Sequence, residues 1–206
     1  MIPNRALLII ALTLFPMAVL PQDTGAPAAP EGLQSVALDR NPPGRLPDFR
    51  LLDTRDHPFR RQSLIGKWSL LYFGYTQCPD ICPTALSALA SAFREAGKQA
   101  DLDRLQVVFV TVDPERDRPE VMKQYVRYFH PAFLGLRADL TETRKLSSAV
   151  EIFHYIAKSR DGSRYTVSHS GEIVVIDPRG LHVGRIEPPF DSASIAADLI
   201  KLSLNP

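Results

Sequence analysis

The chain has two cysteines in 206 residues, too few for a disulfide-stapled scaffold. It has no surplus of either charge: 24 basic and 23 acidic side chains leave a net charge of +1. No basic run or basic-aromatic stripe interrupts that balance, which removes support for a nucleic-acid partner. Internal repeats are absent, so a solenoid or propeller is excluded. An apolar run of membrane-spanning length is lacking too. The longest candidate, Ala6 to Leu20, is about 15 residues, whereas a spanning helix needs roughly 20.

That short run follows a single positive charge at Arg5 and contains Pro16. It suits the core of an export signal better than a stable span, so residues 1–21 are expected to be a signal peptide or an N-terminal membrane anchor. No cysteine lies near it to accept a lipid. Residues 22–45 are rich in proline and alanine and read as a linker, which would serve as a tether to a membrane. Residues 46–206 are then the folded domain, in an extracytoplasmic or periplasmic location.

Both cysteines fall in one stretch, Gly74-Tyr75-Thr76-Gln77-Cys78-Pro79-Asp80-Ile81-Cys82-Pro83. Before it, Lys67 to Phe73 is expected as a central strand; after it, a helix runs to about Ala100, with Gly97 near its end. Pro83 fits a first helical turn. Cys82 would then sit at the positive end of the helix, which favours a thiolate. Thiolates exchange with disulfides and bind soft metals.

Downstream, Gln106 to Val112 is a continuous β-branched run, expected as a buried parallel strand. Asp113 to Pro119 ends that strand and opens a helix through Phe129; a short strand or turn at Phe133 to Leu136 and a helix over Thr141 to Val150 follow. Two hairpins come next, around Asp161-Gly162 and around Asp177-Pro178-Arg179-Gly180. Ser192 to Leu204 closes the chain as a helix. An earlier short hairpin spans Phe49 to Phe59. These elements predict a mixed α/β sheet flanked by helices, with hairpin insertions. A dithiol where an early strand meets its helix is the thioredoxin-like arrangement.

The three-residue gap between the cysteines lets both sulfurs face one ion and still permits a disulfide. Two thiolates suit Cu(I), and an added imidazole gives a three-coordinate site that also holds Cu(II). Zinc competes, but a structural zinc site usually has four protein ligands and would need two histidines here. Five histidines are available. His57 sits by a turn proline, His130 at a helix end where it would cap, and His154 along a strand. His182 lies in a terminal hairpin, and His169 in a loop just before a strong strand. Spacing alone does not choose among them. Asp80 reads as a turn residue, and Asp113 as a turn former or a side chain behind the site. Arg116 and Asp117 are expected to pair with each other or to cap the next helix. Trp68 and Tyr75 are expected to pack rather than to touch ligands.

The stretch that begins with Gly66-Lys67 and runs on through Phe73 to Pro83 closely resembles the SCO/SenC family of copper-handling, thioredoxin-like proteins. Three later stretches are similar to that family in the same order: Val112 to Pro119, Phe129 to Leu136, and Val167-Ser168-His169-Ser170. The resemblance covers about Leu46 to Leu204. It implies that Cys78, Cys82 and His169 bind copper, and that Cys78 and Cys82 form a redox-active dithiol. Such proteins deliver copper to the binuclear copper centre of cytochrome c oxidase, or act as thiol-disulfide reductases on that centre's cysteines. The implied partners are the copper-accepting subunit of that oxidase and, with it, another periplasmic copper chaperone or a thiol reductant. Ser168 departs from the pattern, because an acidic residue often precedes the family's histidine. That affects tuning and docking more than the ligands.

Overall fold

Trp68–Gly74 (β5) is buried along its whole length, because it runs down the middle of a sheet covered on both faces. The structure, a computed structural model, describes residues 30–38, 43–159 and 165–204. Strand Leu105–Thr111 (β6) pairs with β5 in parallel, with Trp68 opposite Leu105 and Gly74 opposite Thr111. Leu134–Arg137 (β7) continues the parallel set. On the other side of β5, Ile173–Ile176 (β10) is antiparallel and Leu181–Ile186 (β11) pairs antiparallel with β10. Leu51–Asp53 (β3) and Pro58–Phe59 (β4) extend the β7 edge. The second hairpin, His154–Lys158 (β8) with Tyr165–His169 (β9), stands apart as its own two-stranded sheet. The mixed, thioredoxin-like sheet matches the sequence expectation. The turn residues Asp161-Gly162 lie outside the described residues.

Alternation along the central strands sorts side chains to two cores. Leu70, Tyr72, Val107, Phe109, Ile173 and Val175 face the helices Ile81–Ala96 (α1) and Ser192–Leu204 (α4). Pro119–Phe129 (α2) adds Met122 and Val126 to the same side. On the opposite side Leu71, Phe73, Val108, Val110, Val174 and Ile176 meet Leu140–Ala149 (α3) through Leu146, and the β8–β9 hairpin through Val167.

Several boundaries differ from expectation. α1 ends at Ala96, four residues early, because Gly97 caps it and the chain then turns. α2, by contrast, runs from Pro119, the last residue of the stretch expected to open it, to Phe129, and its proline occupies the first turn at no hydrogen-bonding cost. β9 runs on through His169, which therefore sits on a strand and not in a loop. The expected linker also contributes structure. Val36–Ala37 (β1) and Gly44–Arg45 (β2) both pair with β11. Asp198, fully buried on α4, holds this incoming segment by accepting the backbone N–H groups of Gln34, Ser35 and Val36 at 2.8, 2.7 and 3.0 Å. Gly184 makes room for it, since a Cβ there would collide with the Ala37 carbonyl oxygen. Among the described residues no helix is long and apolar enough to cross a membrane. The stretch Ala6 to Leu20 lies outside them.

Candidate metal centre

β5 delivers the chain to the site at Gly74, and the loop to α1 carries Cys78. The Cys78 N–H donates to the Tyr75 carbonyl at 3.2 Å, closing a turn that points its sulfur back toward the helix. Cys82 lies in the first turn of α1, and its N–H points at Cys78 Sγ at 3.5 Å. Cys78 is 9% exposed and Cys82 is 0% exposed, so of the two sulfurs Cys78 faces the way in. Both are free thiols.

The third donor arrives from 87 residues downstream: His169 Nε2 lies 3.2 Å from Cys82 Sγ. Its other nitrogen, Nδ1, lies 2.7 Å from the Ser170 carbonyl oxygen. A carbonyl only accepts, so Nδ1 carries the proton and Nε2 presents its lone pair to the sulfurs. Burial pushes the His169 pKa down, outweighing the Ser170 carbonyl and Glu172, which favour the cation. The imidazole is therefore neutral near pH 7, the form that binds metal. The two sulfurs and Nε2 all lie within 4.8 Å of one another.

Burial reverses one expectation. Cys82 does sit at the positive end of a helix, yet its pKa is raised, first by desolvation and then by the neighbouring Cys78. Desolvation of a fully enclosed sulfur outweighs a dipole worth roughly 0.3–1 kcal/mol. Without a metal, Cys82 is a thiol.

The surroundings fix these donors. Tyr72 and Tyr75 stand edge-on to the His169 ring, with centroids at 6.1 and 5.8 Å. Tyr75 packs at the rim of the core, as expected, and does so against a site residue, while Trp68 is core. The expected Arg116–Asp117 pair does not form, nor does either side chain cap α2. Arg116 instead pairs with the buried Asp113, which also accepts from the Tyr165 hydroxyl at 2.7 Å. The Arg116 guanidinium lies over the Tyr165 ring at 4.1 Å and the Tyr75 ring at 5.7 Å. Asp117 is freed to accept from the Thr76 hydroxyl and the Thr111 hydroxyl, both at 2.6 Å. It ties the start of the cysteine loop to the end of β6. Asp80 is exposed and its side chain makes no capping bond, in keeping with a turn residue.

The other histidines stay away from the thiols. His57 pairs with Asp53, the His130 Nδ1 accepts from the Ala132 N–H, and His182 is buried against the Gly184 carbonyl. His154 is the cross-strand neighbour of His169 and turns its Nδ1 to the Ser147 hydroxyl. Two residues of the site were not singled out from sequence. Gly74 is required because a Cβ there would lie 2.8 Å from Cys82 Sγ. Tyr72 shares the α1 face of β5, which strand alternation from Leu70 would have revealed.

A thioredoxin-like sheet carrying two thiols at its strand–helix junction and one imidazole from a later strand defines a class of Cys₂His proteins. The chain belongs to the SCO1/SenC family, whose model matches residues 40–203. It is 37% identical over 170 residues to a Stutzerimonas stutzeri protein named as a candidate copper binder, covering 77% of this chain and 82% of that one. It is 39% identical over 134 residues to the mitochondrial SCO2 homologue of Mus musculus, covering 65% of this chain but only 52% of that longer protein. The copper-bound structure of Bradyrhizobium japonicum ScoI superposes with a TM-score of 0.69 at 34% identity, covering 77% of this chain and 99% of that one.

Proposed function

We propose that this chain is an extracytoplasmic copper metallochaperone. It holds one copper ion as cargo between Cys78 Sγ, Cys82 Sγ and His169 Nε2, and passes it to the binuclear copper centre of cytochrome c oxidase. The observation that carries the reading is the convergence of three soft or borderline donors within 4.8 Å, with the imidazole lone pair already turned to the sulfurs. Such a set matches Cu(I) and adapts to Cu(II). It falls short of the four protein ligands usual for structural zinc. Loading Cu(I) on the reduced dithiol releases the thiol protons, and the N-terminus of α1 then faces negative sulfur. Family membership and the copper-bound relative support the same cargo. The apolar stretch Ala6 to Leu20 supports export, with the chain secreted or anchored by it. Delivery needs a docking face, and exposed Phe153, hydrogen-bonded through its N–H to Ser170, and exposed Tyr155, paired with Ser168, flank the strand that carries His169.

A second reading rests on the same two sulfurs. Two free thiols this close can close to a disulfide, which would let the protein reduce the oxidase's copper-site cysteines. Copper stoichiometry on reduced protein, wild type beside His169→Ala, separates the two. One tightly held copper per wild-type chain, lost or weakened in the variant, is expected. No stable copper in either, with disulfide exchange intact, would leave the reductase.

A further inference from the structure

Tyr72 carries a feature that the three donors leave unexplained. Its side chain is wholly buried, and its hydroxyl has no hydrogen-bond partner among the described residues. A buried unpaired hydroxyl destabilises a fold, and phenylalanine would fill the same space without that cost. The hydroxyl is not remote from the chemistry. The Tyr72 ring stands edge-on to His169. The empty Cβ position of Gly74 lies 3.1 Å from Tyr72 Cε1 and 2.8 Å from Cys82 Sγ, so ring and sulfur border one small space.

The state of the sulfur explains why the hydroxyl is idle. In the metal-free protein Cys82 is a thiol whose S–H faces His169 Nε2, and thiol sulfur is a weak acceptor. A thiolate is a strong one. We infer that the Tyr72 hydroxyl is the hydrogen-bond donor held in reserve for the Cys82 sulfur in its ionised, copper-bound form. Tyr72 is thus a positioning residue: it orients the sulfur toward the metal and withdraws electron density from it. This rests on the copper reading above. Tyr125 makes the comparison. Its hydroxyl is likewise buried and unpaired, but its ring packs against Phe109 and Phe129 and, among the described residues, makes no ring contact with His169.

The role predicts effects of opposite sign in the two states. In reduced, metal-free protein Tyr72→Phe should keep or raise the melting temperature, because it removes an orphaned polar group. In loaded protein it should weaken Cu(I) binding about tenfold, as losses behind a metal ligand do. After Cu(II) addition to reduced protein, the sulfur-to-copper absorption band should move to longer wavelength in the variant. Tyr125→Phe should leave the affinity and the band in place. Incorporating 3-fluorotyrosine at position 72 keeps the shape, strengthens the donor and should move the band the other way. This arm stands even where Tyr72→Phe folds poorly. Unchanged affinity and an unmoved band in folded Tyr72→Phe overturn the inference while the copper reading stands. Wild-type protein that takes up no copper overturns the reading, and the inference with it.

Discussion

Gly74→Ala is the sharpest perturbation of the site, because it adds one methyl group and no charge. The added Cβ would lie 2.8 Å from Cys82 Sγ, 3.0 Å from Phe109 Cε2 and 3.1 Å from Tyr72 Cε1. Ordinary contact needs roughly 3.5–4.0 Å, so each neighbour must retreat by about half an ångström to an ångström. All three are fully buried, and the two rings sit in the packed core under α1. The sulfur gives most readily, because it shifts by rotation about a single bond while each ring is wedged among other core side chains. Moving it breaks the 3.2 Å relation to His169 Nε2. Overpacking of this kind costs about 1–3 kcal/mol, and a displaced ligand should weaken copper binding about 10- to 100-fold. Urea unfolding of the metal-free protein gives the first number. Competition for Cu(I) with a chromogenic chelator gives the second. If Gly74→Ala keeps wild-type stability and wild-type affinity, the close approach of β5 to the sulfur is not what positions it.

Asp198→Ala should destabilise the fold by about 2–4 kcal/mol in urea, since it orphans the N–H groups of Gln34, Ser35 and Val36 at once. A loss below about 0.5 kcal/mol would mean that the β1 segment is not anchored through that carboxylate. For pH, His169 has a folded pKa held below its unfolded value by burial. Between the depressed value and about 6.5 the unfolded chain binds more protons, so metal-free stability should rise with pH through that window and level off above it. His169→Ala should flatten part of the rise. Urea midpoints from pH 5 to 8 that show the same slope in both proteins would contradict the assignment.

The parts of the fold that were legible in the sequence are those whose burial is two-sided. β5 and β6 read as unbroken apolar runs because both faces are covered, and α1 reads from the apolar positions it presents to one face of the sheet. The cysteine pair was equally plain, since it lies in one loop. The third donor was not. Nothing in the spacing of Val167 to Ser170 says that β9 ends against α1; the family resemblance pointed to His169, and the pairing of β8 with β9 puts it in place. The Arg116–Asp117 expectation failed because sequence neighbours at a strand end diverge. Asp117 turns inward to Thr76 and Thr111, while Arg116 reaches Asp113 and two aromatic rings. The anchoring of residues 34–36 had a signal that was passed over. Asp198 falls among Ile195, Leu199 and Leu202, on the buried face of a helix, where an acid needs partners.

Burial of Cys82 bears on which chemistry the site favours. A thiol whose pKa is raised is a poor nucleophile at neutral pH, because so little of it is thiolate. Disulfide exchange begun at Cys82 would be slow, and Cys78, the more accessible sulfur, would have to begin it. Metal binding escapes this limit, since Cu(I) replaces the proton and cancels one of the negative charges that desolvation opposes. The enclosure that hinders exchange therefore hinders copper capture much less. Under the proposed function, copper held at Cys82 would be shielded from water, and Cys78 and His169, both less buried than Cys82, would be the ligands an incoming acceptor meets first. A site with one buried sulfur to retain the ion and two more accessible donors to surrender in turn is suited to holding cargo until a partner's ligands replace them.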